Sequence, residues 1–539
     1  MTGGAGAGEQ HASFQRSGSL LHAPPTRVLS SPMINRETRG ERVAPLEMNP
    51  QAFREAGHRL VDRIAEFLGS LPDRPVTRGE SPSVIREALG AAEPVPQAGT
   101  EAGVLLEHAA ALLFEHSLFN GHPRFWGYIT SSAAPIGALS DLLAAAINPN
   151  VGAWTLSPMA SEIESQTVRW IAELIGYPPG CGGLLVSGGN MANFICFLAA
   201  RKAKTPWSVR TAGVAGGQGR WLRVYASRET HTWIQKAADL FGLGTDSIRW
   251  IPTDAQLRMD PARLRTQVRV DLDQGDVPFL VVGTAGSVGT GAVDPLPELA
   301  AICREHGLWF HVDGAYGGLA AMLPDAPSDL KALSHADSVA VDPHKWLYAP
   351  LEAGCALVRV PDDLREAFAY HPPYYHFGEA ALNYVDYGPQ NSRGFRALKI
   401  WLALRQVGRE GYVRMISGDI ALAQALYRRV EAHPHLQAFT QSLSITTFRY
   451  VPHDLQSRPD AVPVEAYLDK LNAEVLTRLE KSGEAFLSNA VVNGKFALRA
   501  CIVNFRTTLE DIEALPGIVV RIGREADAAL RPTDLDAKR

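Results

Sequence analysis

The chain has 539 residues, of which 46% are hydrophobic and 20% charged, a composition that excludes a chain disordered throughout. Its 52 basic and 57 acidic residues leave a net charge of −5 without a basic stripe, which disfavours a nucleic-acid partner. The five cysteines are scattered and no apolar run approaches the ~20 residues of a membrane span, so we expect a cytoplasmic protein without a metal site or a membrane segment.

The first part of the chain changes character close to Asn49. Residues 1–46 are rich in Gly, Ser, Pro and Arg and show no sustained apolar period, so we expect a disordered tail. Residues 47–134 are expected to form an N-terminal helical segment. Its first helix is indicated by apolar residues that recur every three or four positions, namely Phe53, Ala56, Leu60, Ile64 and Phe67.

The middle of the chain, residues 135–408, reads as a large α/β domain. Apolar strands separated by helix-length intervals are typical of a mainly parallel sheet that is buried on both faces. The predicted strands are GGLLVS at 182–187, LRVYAS at 222–227, FLVVGT at 279–284, LWFHVD at 308–313, SVAVD at 338–342 and CALVRV at 355–360.

The last part of the chain, residues 409–539, has a more mixed pattern. A long helical stretch leads into it from Phe395, and strand-like ITTFRYV and FALRACIVN flank a predicted helix over 463–481. We therefore predict a small C-terminal α+β domain.

Chemically useful residues follow several of the predicted strands of the large domain. Lys345 and Asp313 each stand at a strand end, where ligands collect in parallel sheets, and His231 follows another strand. The segment LLVSGGNMAN runs from a strand through a glycine-rich turn into a helix, whose first N–H groups favour a phosphate. Each feature alone also fits an ordinary surface lysine, capping acid or tight turn. Together they supply what pyridoxal phosphate needs: an anion cradle, a stacking imidazole, a ring-nitrogen partner and a reactive lysine.

At this point the chain resembles the group II pyridoxal-phosphate-dependent amino-acid decarboxylases. The resemblance covers about nine tenths of the chain and rests on HPRFWGYITSSAAPIGALSDLL, SGGNMAN, HVDGAYGG and DPHKW, of which the last two are highly specific together. It implies fold type I of the pyridoxal-phosphate-dependent transferases and pyridoxal 5'-phosphate as cofactor. It also implies a homodimer with active sites at the subunit interface and the N-terminal helices wrapped around the partner.

The resemblance implies a role for each matching residue. Lys345 would bind the cofactor covalently, Asp313 would pair with the pyridine nitrogen, and His231 and Ala315 would cover the two ring faces. Gly189 and Asn190 match the phosphate-binding turn, Thr284 matches a threonine near the phenolic oxygen, and His344 would support the lysine and the phosphate end. These residues together form the expected cofactor site.

Two positions depart from the family pattern, and a third residue is carried by a loop. Many relatives have Asn where Asp342 stands and Ser where Asn190 stands. Because an acid beside a phosphate is repelled by it, we assign Asp342 no phosphate contact. The loop-like segment with tandem prolines places Tyr374 at the family's catalytic tyrosine, with Tyr375 as the near rival; both could instead only pack the closed loop.

The expected substrate is an aromatic L-amino acid of the Tyr, Trp, Phe or dihydroxyphenylalanine type. Trp126, Tyr128 and Trp154 supply a large aromatic surface with few charges, although such residues are also common in cores. The expected reaction is decarboxylation to the amine and CO2. An aldehyde synthase, a decarboxylase of glutamate or aspartate, and a catalytically silent scaffold are the alternatives, and intact Lys345 and Asp313 argue against the scaffold.

Overall fold

A computed structural model describes residues 44–372, 381–456, 462–533 and residue 535. Most of the predicted tail therefore lies outside the described residues, as do Tyr374 and Tyr375. The helices are α1 Pro50–Ser70, α2 Pro82–Leu89, α3 Ala102–Glu115, α4 Pro135–Ile147, α5 Pro158–Leu174, α6 Gly189–Lys204, α7 Val209–Ala212, α8 Trp233–Leu240, α9 Pro261–Asp273, α10 Leu296–His306, α11 Ser328–Lys331, α12 Pro343–Trp346, α13 Pro361–Phe368, α14 Ala397–Glu431, α15 Val462–Ser482 and α16 Leu509–Leu530.

A mostly parallel sheet forms the large layer of the fold. In order across the sheet, its strands are β1 Gly182–Val186, β7 Gly354–Val358, β6 Ser338–Val341, β5 Trp309–Asp313, β4 Val277–Thr284, β2 Leu222–Ser227 and β3 Ile248–Ile251. Neighbours from β6 to β3 are parallel, whereas β7 runs antiparallel to both β1 and β6. The prediction of a mainly parallel α/β sheet is confirmed.

The central strands are apolar because both faces of the sheet are covered. All residues of β5, β6 and β7 are buried, and one face packs against α6 while α10 lies against β4 and β5. This burial explains why these strands read as continuous apolar runs in the sequence.

A second, antiparallel sheet closes the chain. It has the order β10 Ser488–Val492, β11 Lys495–Cys501, β9 Ile445–Tyr450 and β8 Leu436–Ser442. Its helices α15 and α16 pack on each other, and α16 begins with a capping box between Thr508 and Asp511. The expected small α+β arrangement is thus present.

The long helix α14 connects the two sheets. Gly408 leaves the helical conformation inside it with φ of 67°, at the last residue of the predicted large domain. The boundaries 47–134, 135–408 and 409–539 stay predictions. By compactness the chain divides into a segment that ends at His58 and a body from Arg59 to Arg539. Among the described residues, no helix combines the length and apolar character needed to cross a membrane.

Candidate active site

A cavity of about 310 Å³ opens at the carboxyl edge of the large sheet. The carboxyl ends of β1, β2, β4, β5 and β6 meet at this edge, so residues that are distant in sequence converge there. The cavity is lined by Ser187, Gly189, Asn190, Asn193, Glu229, His231, Thr284, Gly286, Val288, Asp313, Ala315, Tyr316, Asp342, His344 and Lys345. All residues predicted to bind the cofactor are therefore brought together in one cavity.

Asp313 is held at the end of β5 by two hydrogen bonds. The indole Nε1 of Trp233 donates to its Oδ2 at 2.8 Å, and the backbone N–H of Ala315 donates to its Oδ1 at 3.1 Å. The register pairs Asp313 with Thr284 of β4. The carboxylate therefore has a hydrogen-bond donor at each of its two oxygens, which fixes its direction.

Lys345 lies in the short helix α12, immediately after β6. Its Nζ is 3.1 Å from Oδ2 of Asp342, and the Nε2 of His344 is 3.7 Å from the same oxygen. The Nδ1 of His344 lies 2.6 Å from the carbonyl oxygen of Ala353, and burial lowers the pKa of His344. A neutral imidazole and a carboxylate therefore flank the lysine.

The glycine-rich turn leads from β1 into α6. Gly188 adopts φ of 96°, a conformation that side chains with a Cβ rarely tolerate, and Gly189 and Asn190 begin the helix. A Cβ on Gly189 would lie 2.6 Å from Oδ2 of Asp342, so a side chain there would have to displace this carboxylate. The first N–H groups of this sixteen-residue helix precede its first intrahelical partners, and Gly189 and Asn190 line the cavity, so this end of the cavity suits an anion.

His231 and Glu229 follow β2 and line the cavity from one side. Partial burial lowers the pKa of His231 and raises the pKa of Glu229. Both side chains therefore tend toward the neutral form, which suits a site where apolar ring surface is covered.

Thr284 ends β4 and is positioned from behind by Asp294. The backbone N–H of Thr284 donates to Asp294 Oδ2 at 2.8 Å, and the backbone N–H of Met259 donates to Oδ1 at 2.7 Å. Burial raises the pKa of Asp294 to about 6. Asp294 thereby ties the strand end to the loop that follows it.

The cavity can accommodate a phosphorylated pyridine aldehyde. Thr284 Oγ1 is buried at the cavity wall and has no hydrogen-bond partner within the described chain, so a ligand atom can satisfy it. The lysine, the strand-end carboxylate and the helix N-terminus supply the three other groups that pyridoxal phosphate requires. The residues present therefore fit this cofactor.

The predicted substrate-pocket residues are not brought to this cavity by the structure. Trp126 is 0% exposed, donates from Nε1 to Thr507 Oγ1 and packs in the core of the small sheet, which favours the core role over the pocket role. Tyr128 is 59% exposed, with φ of 50°, and Trp154 donates from Nε1 to Glu162 Oε1. Tyr374 lies outside the described residues.

Sequence reasoning missed several residues that shape the site. Trp233 and Asn193 lie in helices, where the sequence pattern indicates core residues. The structure shows that Trp233 Nε1 donates to Asp313 Oδ2 and that Asn193 Oδ1 lies within hydrogen-bond distance of His311 Nε2. Asp419 of α14 accepts hydrogen bonds from Trp346 Nε1 at 2.8 Å and Tyr348 Oη at 2.7 Å, and so anchors the turn that carries Lys345. Burial raises its pKa to about 7. An aspartate inside an apolar helical stretch was the available signal for Asp419.

Comparison with known proteins identifies similar sequences and folds. Residues 88–451 match the model of the pyridoxal-dependent decarboxylase conserved domain. An aromatic-L-amino-acid decarboxylase of Bacillus atrophaeus is 31% identical over 87% of this chain and 94% of its own length. A phenylacetaldehyde synthase of Petunia hybrida is 28% identical over 84% of this chain and 91% of its own length. The crystal structure of Oryza sativa TDC with PLP and tryptamine superimposes with a TM-score of 0.82 at 27% identity, covering 90% of this chain and 99% of that chain.

Proposed function

Because the chain belongs to the family of pyridoxal-dependent decarboxylases, we propose that it removes the α-carboxylate of an aromatic L-amino acid and releases the amine and CO2. Its reaction class is that of a carboxy-lyase, and its cofactor is pyridoxal 5'-phosphate. The proposal depends most on one observation: Asp313 ends β5, Lys345 follows the neighbouring β6, and both line the same cavity as the glycine-rich turn.

Each proposed role follows from the position of the side chain. When bound, pyridoxal phosphate supplies an electron-withdrawing ring that accepts the electron pair of the broken Cα–carboxylate bond. Asp313 would hold a proton on the ring nitrogen through its negative charge, because its two hydrogen bonds keep the carboxylate in place. Lys345 would hold the cofactor covalently.

The remaining side chains of the cavity would bind and orient the cofactor. His231 and Ala315 lie at the cavity wall, where they would cover opposite faces of the ring. The N–H groups at Gly189 and Asn190 would bind the phosphate, and Thr284 Oγ1 would donate to the phenolic oxygen. His344 would support the phosphate end beside Lys345.

The aromatic substrate class is supported by similarity to proteins named for aromatic amino acids. Tyr128, whose ring is exposed in the single chain, would contribute to a pocket completed by a second copy. We therefore propose a cytoplasmic homodimer with active sites at the subunit interface, in which Trp154 also contributes to the substrate pocket.

A substrate panel tests this function. The purified holoenzyme is incubated with L-tyrosine, L-tryptophan, L-phenylalanine, dihydroxyphenylalanine and L-glutamate, and CO2 and amine are quantified. We expect equal amounts of CO2 and amine from at least one aromatic substrate and weak turnover of glutamate. Turnover of glutamate alone would contradict the aromatic class.

Lys345→Ala is the matching active-site variant. It removes the only proposed covalent anchor, so turnover and the visible absorbance of lysine-bound cofactor should both disappear. The exposed Lys331 provides the control, because Lys331→Ala changes the same side chain away from the cavity. Retained turnover in Lys345→Ala would contradict the assigned role.

Aldehyde synthesis is the second candidate, favoured by the similarity to phenylacetaldehyde synthase. Relatives with Phe at the position of Tyr374 tend toward the oxidative, aldehyde-forming reaction, so the tyrosine here supports simple decarboxylation. Tyr374→Phe should keep the cofactor and shift the product from amine toward aldehyde, with Tyr375→Phe as control. Aldehyde, ammonia and peroxide from the unaltered enzyme would reverse the proposal.

A further inference from the structure

Asp342 is a buried carboxylate that lies beside Lys345. Its residue is 1% exposed, and its Oδ1 has no hydrogen-bond partner in the described part of the chain. Although Asp342 precedes α12 at the N-cap position, its side chain does not cap that helix. Its Oδ2 contacts Lys345 Nζ at 3.1 Å.

The carboxylate lies against the turn that suits the cofactor phosphate. A Cβ built on Gly189 would be 2.6 Å from Oδ2 and 3.2 Å from Oδ1 of Asp342. The first N–H groups of α6, which would bind the phosphate, belong to this same turn. Asp342 and a bound phosphate would therefore be close neighbours.

The charges around the cavity do not offset this contact. The lining carries three acidic side chains, those of Glu229, Asp313 and Asp342, and the amine of Lys345, while no arginine of the described chain contributes to it. Burial lowers the pKa of His344, and partial burial that of His231, which disfavours their charged forms. Lys345 is thus the cation that neutralises Asp342.

Cofactor attachment would change the surroundings of Asp342 in two ways. Lys345 leaves its position beside Asp342 to join the cofactor, and a phosphate of about −1.5 to −2 charge arrives at the adjacent turn. Both changes act against cofactor binding, but only the second requires the phosphate. The two effects can therefore be separated with a cofactor analogue that lacks the phosphate.

We propose that Asp342 is a specificity-determining residue for the cofactor: its carboxylate reduces the preference of the site for pyridoxal phosphate over unphosphorylated pyridoxal. This inference rests on the phosphate placement of the proposed function. It is independent of which amino acid is the substrate.

Binding of two aldehydes to the apoenzyme tests the inference. Apoenzyme is prepared from holoenzyme with hydroxylamine and dialysis, then titrated with pyridoxal phosphate or pyridoxal. Binding is followed by tryptophan fluorescence and by the absorbance of lysine-bound aldehyde. In Asp342→Asn, the ratio of the pyridoxal to the pyridoxal phosphate dissociation constant should rise by about tenfold or more, because a like charge close to the phosphate is removed.

Glu229→Gln is the matched control. It removes one carboxylate from the same cavity, but on the loop after β2 rather than beside the glycine-rich turn. Its ratio should stay within about twofold of the unaltered protein, since charge interactions weaken with distance. Asp342→Ser supplies a second neutral variant in case Asp342→Asn does not fold, and thermal unfolding identifies folded protein.

Each outcome decides the matter. A raised ratio in the Asp342 variants alone supports the inference. An unchanged or lowered ratio overturns it, as does an equal gain for both aldehydes, which would assign Asp342 to Lys345 only. An equal rise in Glu229→Gln overturns the local role of Asp342. If no protein forms lysine-bound aldehyde, the proposed cofactor placement itself fails, which is a different result from an unchanged ratio.

Discussion

Two neighbouring strands of the large sheet end in or directly before an aspartate, yet the two carboxylates have opposite surroundings. Asp313 accepts a hydrogen bond at each oxygen, from Trp233 and from the backbone of Ala315. Among the described residues, Asp342 has no hydrogen-bond partner for Oδ1, and its Oδ2 lies beside the side chain of Lys345. A carboxylate with a hydrogen bond at each oxygen keeps one orientation. The surroundings of a carboxylate that is paired with a lysine change whenever that lysine moves.

Removing the charge of Asp313 should have the largest effect on activity. Asp313→Asn keeps the shape of the side chain but places no negative charge opposite the ring nitrogen, so kcat should fall by about 100- to 1000-fold. Steady-state kinetics on the holoenzyme measure this change. Asp337→Asn is the control, because Asp337 accepts from the backbone N–H of Phe310 near the other end of β5. Equal losses in both variants would show that the strand, and not the charge, is responsible.

The surroundings of Asp313 also contain a buried histidine with a clear pH signature. Nε2 of His311 is 2.7 Å from Asn193 Oδ1, and Nδ1 of His311 is 2.9 Å from Ser338 Oγ. The imidazole ring packs edge to face against Trp233. Burial lowers its pKa from 6.5 to about 4. Between these values the unfolded chain binds a proton that the folded chain does not.

The contribution of His311 to the free energy of unfolding should therefore be fully present above pH 6.5 and be lost as the pH falls toward 4. The contribution of His311 amounts to about 2 to 3 kcal/mol across this window. Thermal midpoints measured from pH 4 to 7 should fall less steeply in His311→Gln than in the unaltered protein. The exposed His335 serves for comparison, and a slope unchanged in His311→Gln but altered in His335→Gln would refute the assignment.

The sequence alone predicted the strands that are buried along most of their length, and missed β3, β8 and β10, which are partly exposed. The missed β3 has four residues, including Arg249 and Trp250, at the sheet edge, and β8 and β10 carry polar residues on an antiparallel sheet. Such short or mixed segments become strands only when a partner strand satisfies their backbone groups.

The same distinction holds within the site. Strand-end position and motif spacing indicated Asp313 and Lys345, because those signals are local. The hydrogen bond from Trp233 to Asp313 joins residues 80 positions apart, and the Asp419 anchor under Trp346 joins residues 73 apart. No local pattern reveals which buried indole will find a carboxylate, so these contacts required the tertiary structure.

Replacement of the Trp233 indole tests why Asp313 differs from Asp342, and we expect it to have the smallest effect. Trp233→Phe retains most of the packing but removes the N–H donor, leaving Asp313 less well held, so kcat should fall about tenfold with little change in KM. The absorbance of bound cofactor should change as well, because the carboxylate that faces the ring nitrogen has lost a partner. Trp309→Phe removes the same group from the same buried region, where Nε1 donates to Ser338 Oγ at 2.8 Å instead. An equal fall in kcat for both variants would assign the effect to packing, whereas a fall restricted to Trp233→Phe identifies the hydrogen bond as the cause of the difference.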